Sequence, residues 1–121
     1  MFFQKAFIPH RGYWSTPFSR WQGSFAHLNA VPFAAEIAVR ALQEREIEPD
    51  VFDSLYLGLT VPQKHSFYGG PWLAGLTGAE TITGPIISQA CATGARVVSS
   101  AAAEVEVGED CAILTITADR C

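Results

Sequence analysis

Apolar residues follow helical spacing in one stretch near the start of the chain. The positions concerned between residues 32 and 46 are Phe33, Ile37, Ala38, Ala41 and Leu42. This spacing predicts an amphipathic helix over 32–46. Pro32 stands where a first helical turn begins, and Asn29 is available as its cap. The charged and Pro-containing segment 48–50 ends the pattern.

The remaining apolar runs alternate between strand-like and helix-like patterns. Strands are predicted at Ala6–Pro9, 51–60, 82–87 and 111–117. A short helix is predicted at 72–78, and an Ala-rich helix over 90–107 with Gly108 as its C-terminal cap. Residues 10–24 and 62–71 hold Gly, Pro and Ser and are predicted to be loops.

The predicted order is β-α-β-α-β-α-β, which favours an α/β fold. Strands that alternate with helices imply crossover connections and a parallel sheet with helices on its faces. Residues 111–117 form an almost continuous β-branched and apolar run. Such a run is typical of a strand buried on both faces.

Composition and charge narrow the class of protein. The chain has 121 residues, 49% of them hydrophobic and 17% charged, whereas a soluble domain carries about 25% charged residues. It is too apolar to be disordered, and its length allows one domain. Its net charge of −4 argues against binding nucleic acid through phosphates. No apolar run is long enough to span a membrane. A small domain exposes a large share of its surface. The low number of charged residues therefore suggests that something covers part of the surface of this chain.

The cysteines and histidines indicate a reducing environment and no metal site. The three cysteines are an odd number, and the N-terminus lacks the features of a secretory signal. We therefore expect a cytoplasmic protein without a disulfide framework. The three histidines, His10, His27 and His65, are far apart in sequence and show no ligand spacing.

Cys91 is the strongest candidate for chemistry. It stands in the segment SQACATGARVV, between a β-branched run and the Ala-rich helix. Free N–H groups and the helix dipole at a helix N-terminus favour the thiolate form, which is the nucleophile in acyl transfer. The same N–H groups can help to bind an oxyanion, and Thr93 can hydrogen-bond locally. The alternative is that Cys91 is a small buried core residue. For Cys111 core packing is favoured, and nothing suggests a role for Cys121.

Other catalytic and ligand-binding patterns fit less well. The nucleophile elbow of hydrolases needs Gly where this chain has Gln89, and no phosphate-binding Gly-rich loop is present. The aromatic and Arg residues Tyr13, Trp14, Arg20 and Trp21 could stack a ligand. More often, such residues wrap a loop onto a core or a partner chain. His65 is favoured as a solvated or structural residue over a site residue.

Several segments together resemble the N-terminal portion of the thiolase family, the acyl-CoA C-acetyltransferase-like proteins. Cys91-Ala92-Thr93-Gly94 matches the nucleophile segment of the family, C-[GA]-[ST]-G. Lys5–Pro9 matches its opening strand, Gln22–Ala26 its G-G-S-L-A type segment, and Phe52–Gly58 its "D-x-v-x-x-G" strand. Ketoacyl synthases carry a similar cysteine segment, but the early position of the cysteine favours thiolases.

This chain also departs from the thiolase pattern. Ser88 stands where thiolases often have Asn, and the first loop is longer and more aromatic. The ending Ala118-Asp119-Arg120 also differs from the Gly-Gly-x-Glu turn that is common after this strand.

The resemblance implies a thiolase-like α/β fold. Residues 1–121 would form its N-terminal βαβαβαβ half-domain, within a larger layered α/β/α/β/α protein. It implies that Cys91 carries an acyl group during Claisen condensation or thiolytic cleavage of a 3-ketoacyl-CoA. A coenzyme A thioester would be the substrate, with no metal and no covalently bound cofactor.

The resemblance also implies that the chain is incomplete as an enzyme. The His, the second Cys and the Asn- or His-rich segment of the family lie in a C-terminal half that these residues do not include. We therefore expect a homodimer or tetramer, or a second chain that supplies this half. Two alternatives remain: a non-catalytic subunit that binds acyl-CoA or lipid, and a decarboxylating condensing enzyme like the ketoacyl synthases.

Overall fold

The computed structural model describes residues 2–108, 110 and 112–119, which form helices on both faces of a parallel sheet. The helices are α1 (Ala30–Glu44), α2 (Gly69–Thr77) and α3 (Thr93–Val107), and the strands are β1 (Ser54–Gly58), β2 (Ile86–Ile87) and β3 (Ile113–Thr117). Short 3-10 helices precede three of these elements, at Pro49–Val51, Ser66–Tyr68 and Ala90–Ala92. The predicted α/β class and the helix-flanked parallel sheet are confirmed.

The sheet has the strand order β2-β1-β3, so the first strand in sequence is the central one. Both pairings are parallel, with Leu57 opposite Ile86 and Leu55 opposite Leu114. All five residues of β1 are buried. Helices α1 and α2 pack with Leu55 and Leu57 on one face, whereas α3 packs with Tyr56 on the other. The core therefore lies on both sides of β1.

Helix α1 begins where the sequence indicates. Asn29 is its N-cap, and the Asn29 side chain accepts a hydrogen bond from the Val31 N–H at 3.1 Å. The helix begins and ends two residues earlier than the predicted range of 32–46. It buries the small residues Ala35 and Ala38 against the sheet. Small side chains on that face allow the helix and the sheet to approach closely.

Glycine ends both of the later helices. Gly78 follows α2 with φ +89°, and Gly108 follows α3 with φ +85°. Both conformations are left-handed, which glycine adopts without the steric cost that a Cβ imposes. The prediction that Gly108 caps the Ala-rich helix is confirmed.

Strand β2 is shorter than the predicted strand over 82–87. Carbonyl groups of Thr83, Pro85 and Ile87 accept hydrogen bonds from β1 and its extension, so the whole segment runs beside β1. Pro85, however, has no N–H to donate back. A Cβ on Gly84 would lie 1.8 Å from the carbonyl oxygen of Leu55, so only glycine fits this approach. The regular ladder is therefore confined to Ile86–Ile87.

Strand β3 differs from the expectation of burial on both faces. Leu114 and Ile116 are buried, Ile113 and Thr115 are half-buried, and Thr117 is exposed. The strand lies at an edge of the sheet, where α3 covers it only in part. It is β1 that has the two-sided burial predicted for the last strand. Cys111, expected in the core, lies outside the described residues.

The predicted first strand over Ala6–Pro9 is wrong: these residues are not in a strand. The backbone N–H groups of residues 4–6 donate instead to the carboxylate of Glu106 near the end of α3. Pro9 has no N–H to offer a neighbouring strand. A single distant carboxylate thus takes the donors that a strand ladder would need.

Candidate functional site

Cys91 lies at the carboxyl edge of the sheet. It follows the end of β2 and sits in the 3-10 helix Ala90–Ala92, directly before α3. Its thiol is free and the residue is exposed. Because the strands are parallel, Gly58 and Thr117 end β1 and β3 at the same edge. In open α/β sheets, ligands bind at this edge.

The structure does not support the alternative that Cys91 is a buried core residue. It also shows that Cys91 lies outside the α-helix in which the sequence placed it. The predicted helix covers 90–107, whereas α3 begins at Thr93, so Cys91 stands just ahead of the α-helical N-terminus. No side chain caps that N-terminus by a hydrogen bond. The exposed thiol therefore stands in front of a helix end whose dipole favours negative charge.

A strained turn presents the thiol. Ala90 has φ +46°, a left-handed conformation that costs a non-glycine residue about 1–2 kcal/mol. The Thr93 hydroxyl donates to the Ala90 carbonyl at 2.7 Å and accepts from the Gln89 N–H at 2.8 Å. The Ala92 N–H donates to the Gln89 carbonyl at 3.0 Å. Local hydrogen bonding by Thr93, expected from the sequence, is confirmed.

Gly58 brings α3 close to the end of β1. A Cβ built on Gly58 would lie 2.7 Å from a methyl of Thr117, 2.8 Å from one of Val97 and 3.0 Å from that of Thr93. The missing side chain thus leaves room for three methyl groups. The start of α3 is packed against the strand ends because this position has no Cβ.

Gln89 and Arg96 add a polar pair beside the turn. The Arg96 Nε donates to the Gln89 Oε1 at 2.6 Å. Both residues are exposed, so this bond lies in contact with solvent. It brings a guanidinium to the residue that lies two positions before Cys91, and it joins the first turns of α3 to the turn that precedes them.

The aromatic residues of the first loop do not all face one place. Trp14 packs against the core, and the Arg45 guanidinium lies 5.5 Å from its ring centroid. Tyr13 and Trp21 are 74% and 58% exposed. For Trp14, the interpretation that the loop wraps onto the core is confirmed. Arg20, also exposed, has no place in that packing.

Arg45 holds this loop in place, and sequence reasoning missed it. Its guanidinium donates to the carbonyls of Arg11 at 2.7 Å, Tyr13 at 3.0 Å and Ala41 at 2.8 Å. One signal was available, because basic residues at the end of a helix often bond its last carbonyls. The two bonds to the distant loop leave no trace in the local sequence pattern.

The three histidines lie in different segments of the chain. His65 follows the carboxyl end of β1, has φ +65°, and places its ring edge-on to Trp72 at 6.3 Å between centroids. His10 and His27 are exposed in the first part of the chain. Within the described ranges, no group of three or more His, Cys, Asp or Glu residues is arranged to hold a metal ion. Cys121, like Cys111, is outside those ranges.

Two hollows in the described part of the chain lie away from Cys91. One of about 420 Å³ is bounded by the end of α1, residues 46–49 and Thr77. The other, of about 450 Å³, lies between α1 and Leu76 of α2. Residues 46–49 precede β1, so the first hollow is at the amino edge of the sheet. The turn that carries Cys91 lies at the opposite, carboxyl edge. None of the helices in the described part is long and apolar enough to cross a membrane.

Comparison with known proteins places this fold in a defined group. A family model described as the thiolase N-terminal domain matches residues 13–117. No curated protein matches. Many solved structures share the fold, and three of them show the extent of the similarity. The first is an acetyl-CoA acetyltransferase from Bacillus anthracis, with 23% identity, a TM-score of 0.65 and coverage of 74% of this chain and 23% of that one.

The second is human mitochondrial 3-ketoacyl-CoA thiolase in complex with CoA, with 22% identity, a TM-score of 0.70 and coverage of 78% and 25%. The third is 3-oxoacyl-[acyl-carrier-protein] synthase III from Aquifex aeolicus VF5, with 22% identity, a TM-score of 0.67 and coverage of 76% and 30%. This chain thus spans about a quarter to a third of the length of these proteins. The parallel sheet, the cysteine turn before α3 and the match over 13–117 together establish that the chain belongs to the thiolase N-terminal domain family.

Proposed function

We propose that the protein is an acyltransferase of the thiolase type, in which Cys91 accepts an acyl group from a coenzyme A thioester. The observation that carries this proposal is the exposed Cys91 thiol, held in a strained turn at the carboxyl edge of the sheet and in front of α3. Two of the solved relatives in fold are named as an acetyl-CoA acetyltransferase and a 3-ketoacyl-CoA thiolase with CoA, which supports the choice of substrate.

The proposed first step is a thioester exchange. The Cys91 sulfur, as thiolate, bonds to the carbonyl carbon of the acyl-CoA, and the bond from that carbon to the CoA sulfur breaks. CoA leaves as a thiolate and takes up the proton that Cys91 has lost. In the second step, the α-carbanion of another acyl-CoA attacks the acyl-enzyme and releases Cys91. The reverse direction is thiolytic cleavage of a 3-ketoacyl-CoA.

We place the groups that move the α-proton outside residues 1–121. The chain covers about a quarter of the length of the two thiolase-type structures that share its fold. In this proposal, none of the described histidines takes part in the reaction. In this proposal, a C-terminal half or a second chain supplies these groups, in a dimer or tetramer. Exposed apolar side chains of α3 are available for such a contact, since Val98 and Val107 are 43% and 73% exposed.

Acylation of Cys91 is the direct test. The complete protein is incubated with acetyl-CoA and digested. The masses of its cysteine-containing peptides are then measured by mass spectrometry. We expect one acetyl group on the Cys91 peptide and none after Cys91→Ala, whereas Cys111→Ser should keep the acetyl group. In a parallel assay, iodoacetamide should label Cys91 well before Cys111. Equal, slow labelling of both cysteines, with no acetylated peptide, would contradict the proposal.

A second candidate is a decarboxylating condensation. It is favoured by the similar fold of the Aquifex aeolicus synthase, whose TM-score of 0.67 lies between those of the two thiolase-type proteins. The acetylated protein separates the two. Release of CO₂ from a malonyl thioester favours the synthase reaction, and condensation with a second acetyl-CoA favours the thiolase reaction. A protein that binds acyl-CoA without acylation of Cys91 would be the non-catalytic subunit.

A further inference from the structure

We propose that Thr93 is the positioning residue for Cys91: its hydroxyl locks the turn that presents the thiol to the thioester. The inference rests on the proposed function, in which Cys91 is the residue that becomes acylated. Thr93 does not touch the substrate in this scheme, and it acts through the backbone on either side of the cysteine.

The first argument is the way in which the hydroxyl joins the turn. Thr93 Oγ1 accepts the Gln89 N–H at 2.8 Å and donates to the Ala90 carbonyl at 2.7 Å. Both partners precede the cysteine, and Thr93 follows it. One oxygen therefore closes a ring of backbone around Cys91, and both of its bonds have good donor–acceptor lengths.

The second argument is that the turn needs a restraint. Ala90 has φ +46°, a conformation that a residue with a Cβ leaves readily unless its surroundings hold it. The Thr93 hydroxyl bonds the carbonyl of this same strained residue. The same carbonyl also accepts the backbone N–H of Thr93. Without the hydroxyl bond, this backbone bond alone holds the peptide between Ala90 and Cys91, so the position of the thiol is less firmly set.

The third argument is that the hydroxyl has one orientation. Thr93 is 5% exposed, and its methyl lies 3.0 Å from the place where a Cβ on Gly58 would be. The methyl is thus seated over the glycine at the end of β1. Packing fixes the side-chain rotamer, and the rotamer aims the hydroxyl at Gln89 and Ala90.

The test separates the hydroxyl from the methyl. In the complete protein, Thr93→Val keeps a branched side chain and removes the hydroxyl, while Thr93→Ser keeps the hydroxyl and removes the methyl. The rate of Cys91 acylation is measured against acetyl-CoA concentration. We expect Thr93→Val to lower the maximal rate about five- to tenfold, the worth of one or two lost hydrogen bonds, with little change in KM. Thr93→Ser keeps the hydroxyl but loses the methyl that seats the rotamer, so its rate should lie between that of Thr93→Val and that of the unsubstituted protein.

Each outcome decides a different statement. If the unsubstituted protein is not acylated on Cys91, the proposed function falls, and this inference falls with it. If the protein is acylated and Thr93→Val is as fast, or if Thr93→Ser is as slow as Thr93→Val, the positioning role alone is overturned. Should Thr93→Val fail to fold, Thr93→Ala against Thr93→Ser isolates the hydroxyl in the same way, and equal rates overturn the inference.

Discussion

Replacement of Gly58 by alanine tests how closely α3 packs on the end of β1. The new Cβ would lie 2.7, 2.8 and 3.0 Å from methyl groups of Thr117, Val97 and Thr93. Optimal contact between carbon atoms is about 3.5–4.0 Å, so all three methyl groups must move outward. Their positions are set by different elements, and β1 is paired on both sides, so no single shift relieves the strain.

We expect Gly58→Ala to lower the free energy of unfolding by about 1–3 kcal/mol, the usual cost of an extra methyl in a packed core. In a domain of this size, each kcal/mol corresponds to roughly 3–5 °C in Tm, so Tm should fall by roughly 3–15 °C. Thermal unfolding followed by circular dichroism measures the shift. Because Thr93 is one of the displaced residues, the alkylation of Cys91 by iodoacetamide should slow as well.

Gly75→Ala is the matched control. Gly75 lies within α2, and a Cβ there has nothing within 4 Å. The same substitution should therefore stabilise the protein by about 0.5–1 kcal/mol, since alanine is the better helix former. Opposite shifts in Tm are the expected result. A Tm for Gly58→Ala that equals or exceeds that of the unsubstituted protein would refute the close packing of α3 on β1.

Four further substitutions address the core, the first loop and the N-terminal segment. Leu57→Ala, at a fully buried position, should cost about 2–5 kcal/mol in urea unfolding, and Leu76→Ala, at a residue 44% exposed, should cost clearly less. Arg45→Ala removes the three hydrogen bonds from Arg45 to backbone carbonyls. Brief trypsin or chymotrypsin treatment should therefore cut the first loop faster. An unchanged pattern of proteolytic fragments would show that the loop has another anchor. The pKa of Glu106 is lowered from 4.5, mainly by the hydrogen bond from the N–H of Lys5 and next by that from Gln4. The hydrogen bonds from residues 4–6 to this carboxylate should therefore hold at neutral pH. They should be lost as the pH falls through the lowered pKa. Amide hydrogen exchange at residues 4–6 should be faster in Glu106→Gln than in the unsubstituted protein at neutral pH. Equal exchange rates in these two proteins would count against the hydrogen bonds between residues 4–6 and Glu106.

Local signals predicted the parts of the fold that depend on neighbouring residues. Asn29 and Gly108 mark a helix start and a helix end because capping is decided within a few residues. The alternation of strands and helices predicted the parallel sheet because a strand–helix–strand crossover brings successive strands side by side in the same direction. The position of Cys91 between a strand and a helix followed from this alternation, and with it the sheet edge at which the thiol stands.

Features that depend on distant residues were not predictable in this way. The N-terminal segment has a β-like composition, yet Glu106, a hundred residues away in sequence, takes the N–H groups of residues 4–6. Arg45 reaches two carbonyls of the first loop that lie 34 and 32 residues before it in sequence. The strain at Ala90 was also hidden, because alanine gives no sequence signal for a positive φ.

The central place of β1 has a consequence for how the chain folds as it is synthesised. Both strands that flank it come later in the sequence, and β3 comes last. At about 5–20 residues per second, β1 leaves the ribosome several seconds before β3 can pair with it. During that interval, α1 and α2 can already cover one face of β1, because all three belong to the same core cluster. One edge of β1 stays open until β2 arrives and the other until β3 arrives, which makes this interval the stage at which the nascent chain is most exposed to wrong strand pairing.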